Sequence, residues 1–212
     1  MTLKVHEIFH SVQGESSRIG LPTVFVRLTG CPMRCVYCDT EYAFSGGSNM
    51  SLDQIMQKVA GYGARYVTVT GGEPLAQKKC LGLLNGLCDA GYEVSLETGG
   101  AIDTSGVDRR VAVILDVKTP GSGEMENNRW DNLQRLKPSD EVKFVLCDRA
   151  DYDWAKKILT EHQIAEKCSV LFSPVHGRLD AAGLAEWILD DRLPVRMQVQ
   201  LHKILWGERP GV

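Results

Sequence analysis

Three cysteines, Cys31, Cys35 and Cys38, fall within eight residues, separated by three residues and then by two. Thiolates are soft ligands that suit zinc and iron–sulfur clusters. A structural zinc site asks for four ligands, and no Cys or His stands at the usual return spacing. A ferredoxin run asks for a fourth cysteine before a proline, which is also missing. Three thiolates at this spacing fit a four-iron cluster that leaves one iron without a protein ligand. An open metal position marks a reactive centre, as it does in catalytic zinc sites. Zinc and three unligated thiols remain the alternatives. The other four cysteines, Cys80, Cys88, Cys147 and Cys168, are scattered and read as small core hydrophobes.

A reactive loop needs a rigid mount. The run from Thr23 to Thr29 reads as a strand that delivers the chain to Gly30 and Cys31. The first ten residues alternate enough for an edge strand, and 11–17 read as a polar loop. Beyond the cysteines the pattern becomes regular. Ser51 caps a helix carrying Leu52, Ile55, Met56 and Val59. Strands are expected at 66–70, 93–97, 111–117, 142–146, 169–172 and 195–201. Helices are expected at 74–90, 130–136, 151–162 and 181–189. Strands alternating with helices imply parallel β/α units. The length suits about six of them, short of the roughly 250 residues usual for eight. The expected fold is therefore α/β, a partial, open β/α barrel in one domain spanning 1–212. A doubly wound flat sheet is the alternative.

The motifs follow the strands. Gly71-Gly72-Glu73-Pro74 comes after 66–70, Thr98-Gly99-Gly100 after 93–97, Thr119-Pro120-Gly121 after 111–117, and Ser173-Pro174-Val175-His176 after 169–172. In a parallel β/α fold these loops share the face at the strands' carboxyl ends, where such folds bind ligands.

Bulk properties narrow the class. The chain has 212 residues, 43% hydrophobic and 24% charged, with a formal net charge of −3. That balance argues against broad binding to nucleic acid. The N-terminus lacks the apolar stretch of a secretory signal, and the apolar runs are too short to span a bilayer. A cytoplasmic protein without membrane partners is expected.

The pattern Cys31-x3-Cys35-x2-Cys38 resembles the signature of radical S-adenosylmethionine (SAM) enzymes, and Gly71-Gly72-Glu73-Pro74 resembles that family's second motif. The resemblance implies a 4Fe-4S cluster whose open iron binds the amino and carboxylate groups of SAM. Reductive cleavage of SAM would then give a radical that takes a hydrogen atom from the substrate. Further pieces resemble the 7-carboxy-7-deazaguanine synthase family of queuosine biosynthesis: Glu7-Ile8-Phe9, Ser11 to Glu15, Phe25 to Leu28, Cys38-Asp39-Thr40, Glu97 to Gly100, Asp116-Val117-Lys118, Glu141 to Val145, Ser173 to Val175, Gln200 to Lys203, and Trp206-Gly207. This likeness implies a lyase that contracts the ring of 6-carboxy-5,6,7,8-tetrahydropterin to 7-carboxy-7-deazaguanine with loss of ammonia. It also implies Mg2+, SAM used as a cofactor, a flavodoxin- or ferredoxin-type reductant, and a homodimer.

The same likeness assigns residues. For SAM it points to Tyr37, Cys38, Asp39, Gly72, Glu73, Gly100, Lys143 and the loop Ser173, Pro174, Val175 and His176. Gln13 and Glu15, with backbone at Val12 and Gly14, would pair with the amino-pyrimidinone edge of the pterin. Arg27 would take the substrate carboxylate, although strand alternation leaves its facing open. Thr98 and Pro210 would also touch substrate. Thr40 would ligate Mg2+, with Asp39 second in line. Asp116 and Lys118 share a strand face and are expected to pair. The segment 1–22 would extend the domain into the substrate site, and the tail 203–212 would lie near it. A radical SAM activating enzyme and a non-catalytic iron–sulfur or zinc protein are the competing readings.

Overall fold

The computed structural model describes residues 2–207, 209, 211 and 212. Period-two alternation of apolar and polar residues shapes its one sheet. In β2 (Pro22–Leu28), Val24, Val26 and Leu28 point one way and Thr23, Phe25 and Arg27 the other. The same alternation runs through β4 (Tyr66–Gly71), β5 (Glu93–Thr98), β6 (Ala112–Asp116), β7 (Glu141–Leu146) and β8 (Ser169–Pro174). With β1 (Thr2–Val12), β3 (Ser48–Ser51) and β9 (Arg196–Met197), the order is β3-β1-β2-β4-β5-β6-β7-β8-β9. The β3–β1 and β1–β2 pairs are antiparallel. Every pair from β2 to β9 is parallel. β3 and β9 are the two ends of this order, so the sheet is open, as expected.

The apolar face is covered by helices. α1 (Leu52–Ala60) and α2 (Cys80–Asp89) pack on the first half of the sheet, burying Val24, Val26, Val67, Val69 and Leu96. α3 (Arg149–Glu161) and α4 (Ala181–Asp191) cover the second half, over Val142, Phe144, Leu146, Val170 and Phe172. Each such side chain, taken fully from water, contributes about 1.5–3 kcal/mol. Ser51 caps α1 with a reciprocal capping box: its hydroxyl accepts from the Gln54 N–H, and the Gln54 side chain accepts from the Ser51 N–H.

Several local expectations are corrected. The helix expected at 74–90 is a 3-10 turn at Pro74–Ala76 followed by α2 from Cys80; the chain is extended at Gln77, whose side chain is bonded to Lys4 and Thr29. β1 runs on to Val12, so Ser11 and Val12 belong to the strand and not to a loop. The segment 130–136 gives a 3-10 helix at Trp130–Gln134. The strand expected at 195–201 shrinks to β9, and α5 (Leu201–Trp206) follows it. β3 was not foreseen; its four residues pair with Thr2 to Val5. Among the described residues no helix is long and apolar enough to cross a membrane.

Candidate active site

The polar face of the sheet lines a cavity of about 590 Å³. Phe9, Phe25, Arg27, Thr70, Glu97, Asp116 and Lys143 reach it from six different strands. Phe25, Arg27, Asp116 and Lys143 have both chain neighbours in the helix-covered core, so period-two geometry turns them to the cavity. The loops at the strands' carboxyl ends complete the wall.

One end of the cavity is thiol-rich. Cys31, Cys35 and Cys38 all line it and all are free and partly exposed. The loop is pinned at several points: Gly30 N–H donates to Ala43 O at 2.9 Å, Glu73 N–H to Gly30 O at 2.8 Å, and Cys38 N–H to Cys35 O at 3.1 Å. A Cβ on Gly72 would lie 2.3 Å from Gly30 O and 2.8 Å from the Cys31 Cβ. Glycine there lets the end of β4 touch the cysteine loop directly. Burial pushes the Cys31 and Cys35 thiols up from their ordinary pKa. The buried Tyr37 hydroxyl and Asp116 Oδ1 have no partner among the described residues. Burial, and then the Asp116 charge, drives the Tyr37 pKa up.

A ladder of alternating charges leads from Glu15 towards the thiols. Glu15 Oε2 meets Lys143 Nζ at 2.6 Å, Lys143 lies 3.5 Å from Asp116 Oδ2, and the same oxygen takes Lys118 Nζ at 3.0 Å. Burial would raise the Glu15 pKa, but the Lys143 ammonium and the Gln200 hydrogen bond together hold the carboxyl below its ordinary range. Burial works against the Lys143 charge too; Glu15, Asp116 and Glu97 hold its pKa well above normal. Gln200 Nε2 bridges Glu15 Oε1 at 2.7 Å and Asp39 Oδ2 at 3.2 Å, tying the N-terminal loop to the cysteine loop. Leu201 N–H donates to Gly14 O at 3.0 Å, which fixes α5 against the same loop.

Arg27 faces the cavity, which resolves its orientation. Its Nε–H donates to Glu7 Oε1 at 2.7 Å, and its guanidinium lies over Phe9 and Tyr42 at 5.6 and 5.7 Å. Val12, Gln13, Gly14, Thr40, Thr98, Val175 and His176 also line the cavity. The Gln13 amide, however, is only 2% exposed. Its Nε2 donates to Thr68 and to Glu97 at 3.2 Å each, and its Oε1 accepts from the Glu15 N–H. Gln13 therefore braces Glu15 rather than presenting a free amide.

Glu73, Gly100, Ser173 and Pro174 do not line the cavity. Glu73 is fully buried; its carboxylate accepts from the Thr98 hydroxyl at 2.9 Å, from Gly99 N–H at 2.8 Å and from Leu75 N–H at 3.0 Å. It knits the second motif to the end of β5 instead of facing a ligand ammonium. Gly100 sits behind Thr98, against Leu115. Ser173 is buried with a hydroxyl that has no partner among the described residues, and Pro174 lines a neighbouring pocket with His176 and Gln200. Pro210 lies outside the described residues.

Comparison with known proteins places the chain. Residues 25–120 match the Radical SAM superfamily model. The 7-carboxy-7-deazaguanine synthase of Chlorobaculum tepidum is 51% identical over 208 residues, covering 97% of this chain and 94% of that protein. The protein of the same name from Koribacter versatilis is 43% identical, covering 99% and 100%. The chain belongs to the 7-carboxy-7-deazaguanine synthase family. The crystal structure of QueE from Escherichia coli shares the fold of this family member, with a TM-score of 0.79 at 22% identity over 95% of each chain.

Glu97 and Gln200 are among the cavity residues that the sequence did not assign to the site. Glu97 accepts from Gln13 and from the Thr70 hydroxyl at 2.9 Å, and burial raises its pKa. Gln200 is the bridge described above. The polar positions Glu93, Ser95 and Glu97 alternating with Val94 and Leu96 in β5 were the available signal for Glu97. Gln200 carried none, because its role depends on how the last strand ends.

Proposed function

We propose that this radical SAM lyase converts 6-carboxy-5,6,7,8-tetrahydropterin to 7-carboxy-7-deazaguanine with loss of ammonia. One observation carries the reading: a single cavity of about 590 Å³ joins three free thiols to a buried carboxylate and an arginine suited to a small polar heterocycle. That volume suits a small molecule, not the protein substrate of an activating enzyme.

The residues fit a 4Fe-4S cluster with SAM. The donor set is three soft thiols around one cavity. Among the described residues no group of three His, Cys, Asp or Glu side chains converges as a single ion requires. A cluster does not ask for that, since each thiolate holds a different iron. The unpartnered Tyr37 hydroxyl and Asp116 Oδ1 offer a donor and an acceptor for SAM beside it. When bound, this group supplies a carbon-centred radical that removes a hydrogen atom from substrate.

The chain's own residues do the rest. Glu15, kept ionised by Lys143, accepts from the amino-pyrimidinone edge. Arg27 holds the substrate carboxylate. Its Nε–H is taken by Glu7, and no bond among the described residues engages its terminal nitrogens. Phe9 and Tyr42 lie within cation–π range of the guanidinium and help hold it in place. Thr40, lining the cavity between the thiols and Asp39, supplies an oxygen ligand to Mg2+. Thr98 contributes through its backbone, since its hydroxyl is held by Glu73. A single domain, a homodimer, a flavodoxin- or ferredoxin-type reductant and a cytoplasmic setting complete the proposal.

Calorimetric titration of the carboxypterin into the cluster-loaded protein with SAM tests this assignment. Arg27→Ala should weaken carboxypterin binding about 10- to 100-fold and leave SAM binding unchanged. Equal affinity in both proteins would refute the role of Arg27.

A further inference from the structure

The middle cysteine is held from outside its own loop. Its two neighbours both donate backbone N–H groups to the loop after β6. Arg34 N–H donates to Glu124 Oε1 at 2.5 Å, and Val36 N–H donates to Ser122 O at 3.0 Å. These bonds fix the backbone on either side of Cys35.

That receiving loop is in turn fixed by one buried carboxylate on α3. Asp151 is 1% exposed. Its Oδ1 accepts from Gly121 N–H at 2.7 Å, and its Oδ2 accepts from the Thr119 hydroxyl and from Cys147 N–H, both at 2.9 Å. No cation pairs with it among the described residues. Three donors and its place in the first turn of α3 compensate the charge instead. A Cβ on Gly121 would stand 2.4 Å from Asp151 Oδ2 and 2.9 Å from the Cys147 Cβ, so the loop is pressed onto this carboxylate. Ser122 continues the path: its hydroxyl donates to Thr119 O at 2.6 Å and accepts from Glu124 N–H at 3.0 Å. Nothing in the expected chemistry uses Asp151, and it does not line the cavity.

We propose that Asp151, acting through the 119–124 loop and Glu124, is the positioning residue that sets where the Cys35 thiol stands relative to Cys31 and Cys38. Cys31 and Cys38 are held by other contacts: the Gly30 and Glu73 backbone for the first, and the turn from Cys35 for the second. Loosening Asp151 therefore acts first on Cys35, and reaches Cys38 only through its turn bond to Cys35 O. The inference rests on Cys35 being a cluster ligand.

The test is amide hydrogen exchange on the full chain, with and without iron, together with the low-temperature EPR spectrum of the reduced, loaded protein. Asp151→Asn keeps the shape but cannot accept from all three donors. Exchange at Gly121, Arg34 and Val36 should rise about tenfold or more, while Val67 and Val69 in β4 stay as in wild type. The EPR line shape should change at equal iron content. Faster exchange at Gly121 with Arg34 and Val36 unchanged would overturn the proposal. If Asp151→Asn does not fold, as a melt would show, Glu124→Ala decides: faster exchange at Arg34 supports the path, and unchanged exchange refutes it. A wild-type protein that binds no iron would overturn the cluster reading itself, a result the exchange data on the iron-free chain keep distinct.

Discussion

Replacing Glu15 by Gln removes one charge from the ladder and keeps its shape. Glu15 and Lys143 have side chains only 14% and 13% exposed, and their contact is 2.6 Å. Removing one partner of a buried pair costs about 3–5 kcal/mol. Here the loss is smaller, because Asp116 stays 3.5 Å from Lys143 and the glutamine oxygen still accepts from Gln200 or Lys143. About 2 kcal/mol is expected, against total stabilities of about 5–15 kcal/mol. For a chain of this length that lowers the melting midpoint by roughly 4–8 °C. The pH dependence has a definite sign. The folded Glu15 pKa is depressed, so its contribution is present above the ordinary carboxylate range and lost as pH falls through the folded value. The Lys143 pKa is raised, so its contribution is complete below the ordinary lysine range and lost as pH rises through the folded value. The gap between wild type and Glu15→Gln should therefore be widest near neutrality and close on the acid side. Urea titrations of both proteins between pH 3 and pH 8 measure it. Equal stability at neutral pH, or a gap that does not change with pH, would refute the ion-pair account and leave packing as the cause.

Glu97 is the opposite case, a carboxyl whose pKa burial raises and which has no cation in hydrogen-bond contact among the described residues. Its ionisation opposes folding, so stability falls as pH rises from the ordinary carboxylate value through the raised folded one. Glu97→Gln should raise the melting midpoint of the ligand-free protein at neutral pH by about 2–4 °C, and an unchanged or lowered midpoint would contradict this. Thr40→Ala should raise the Mg2+ concentration needed for half-maximal turnover about tenfold without changing iron content; identical Mg2+ titration curves would remove Thr40 from the metal site.

Much of this arrangement was legible because it rests on local rules. The two-residue period of β2, β4, β5 and β7 already separates a core face from a polar face, and the polar face is the cavity wall. The cysteine spacing named its own chemistry. Ser51 announced the start of α1. What could not be read depends on contacts between distant segments. Glu73 looks like a ligand-facing carboxylate in its motif, yet Thr98 and Gly99 from the next strand claim it. Gln13 looks free until Thr68 and Glu97 are brought beside it. Arg27 sits in an alternating strand whose facing is ambiguous until Glu7 of β1 pairs with it at a bulge between Val5 and Glu7. The break between the 3-10 turn and α2 has the same origin, since it falls at Gln77, whose side chain is bonded to Lys4 and Thr29.

The most direct test is turnover. The protein, loaded with iron and sulfide under anaerobic conditions and given SAM, Mg2+, a one-electron reductant and 6-carboxy-5,6,7,8-tetrahydropterin, should release 7-carboxy-7-deazaguanine and ammonia in equal amounts, resolved by liquid chromatography with mass detection. An intact cluster and cleaved SAM with no deazaguanine formed would contradict the account.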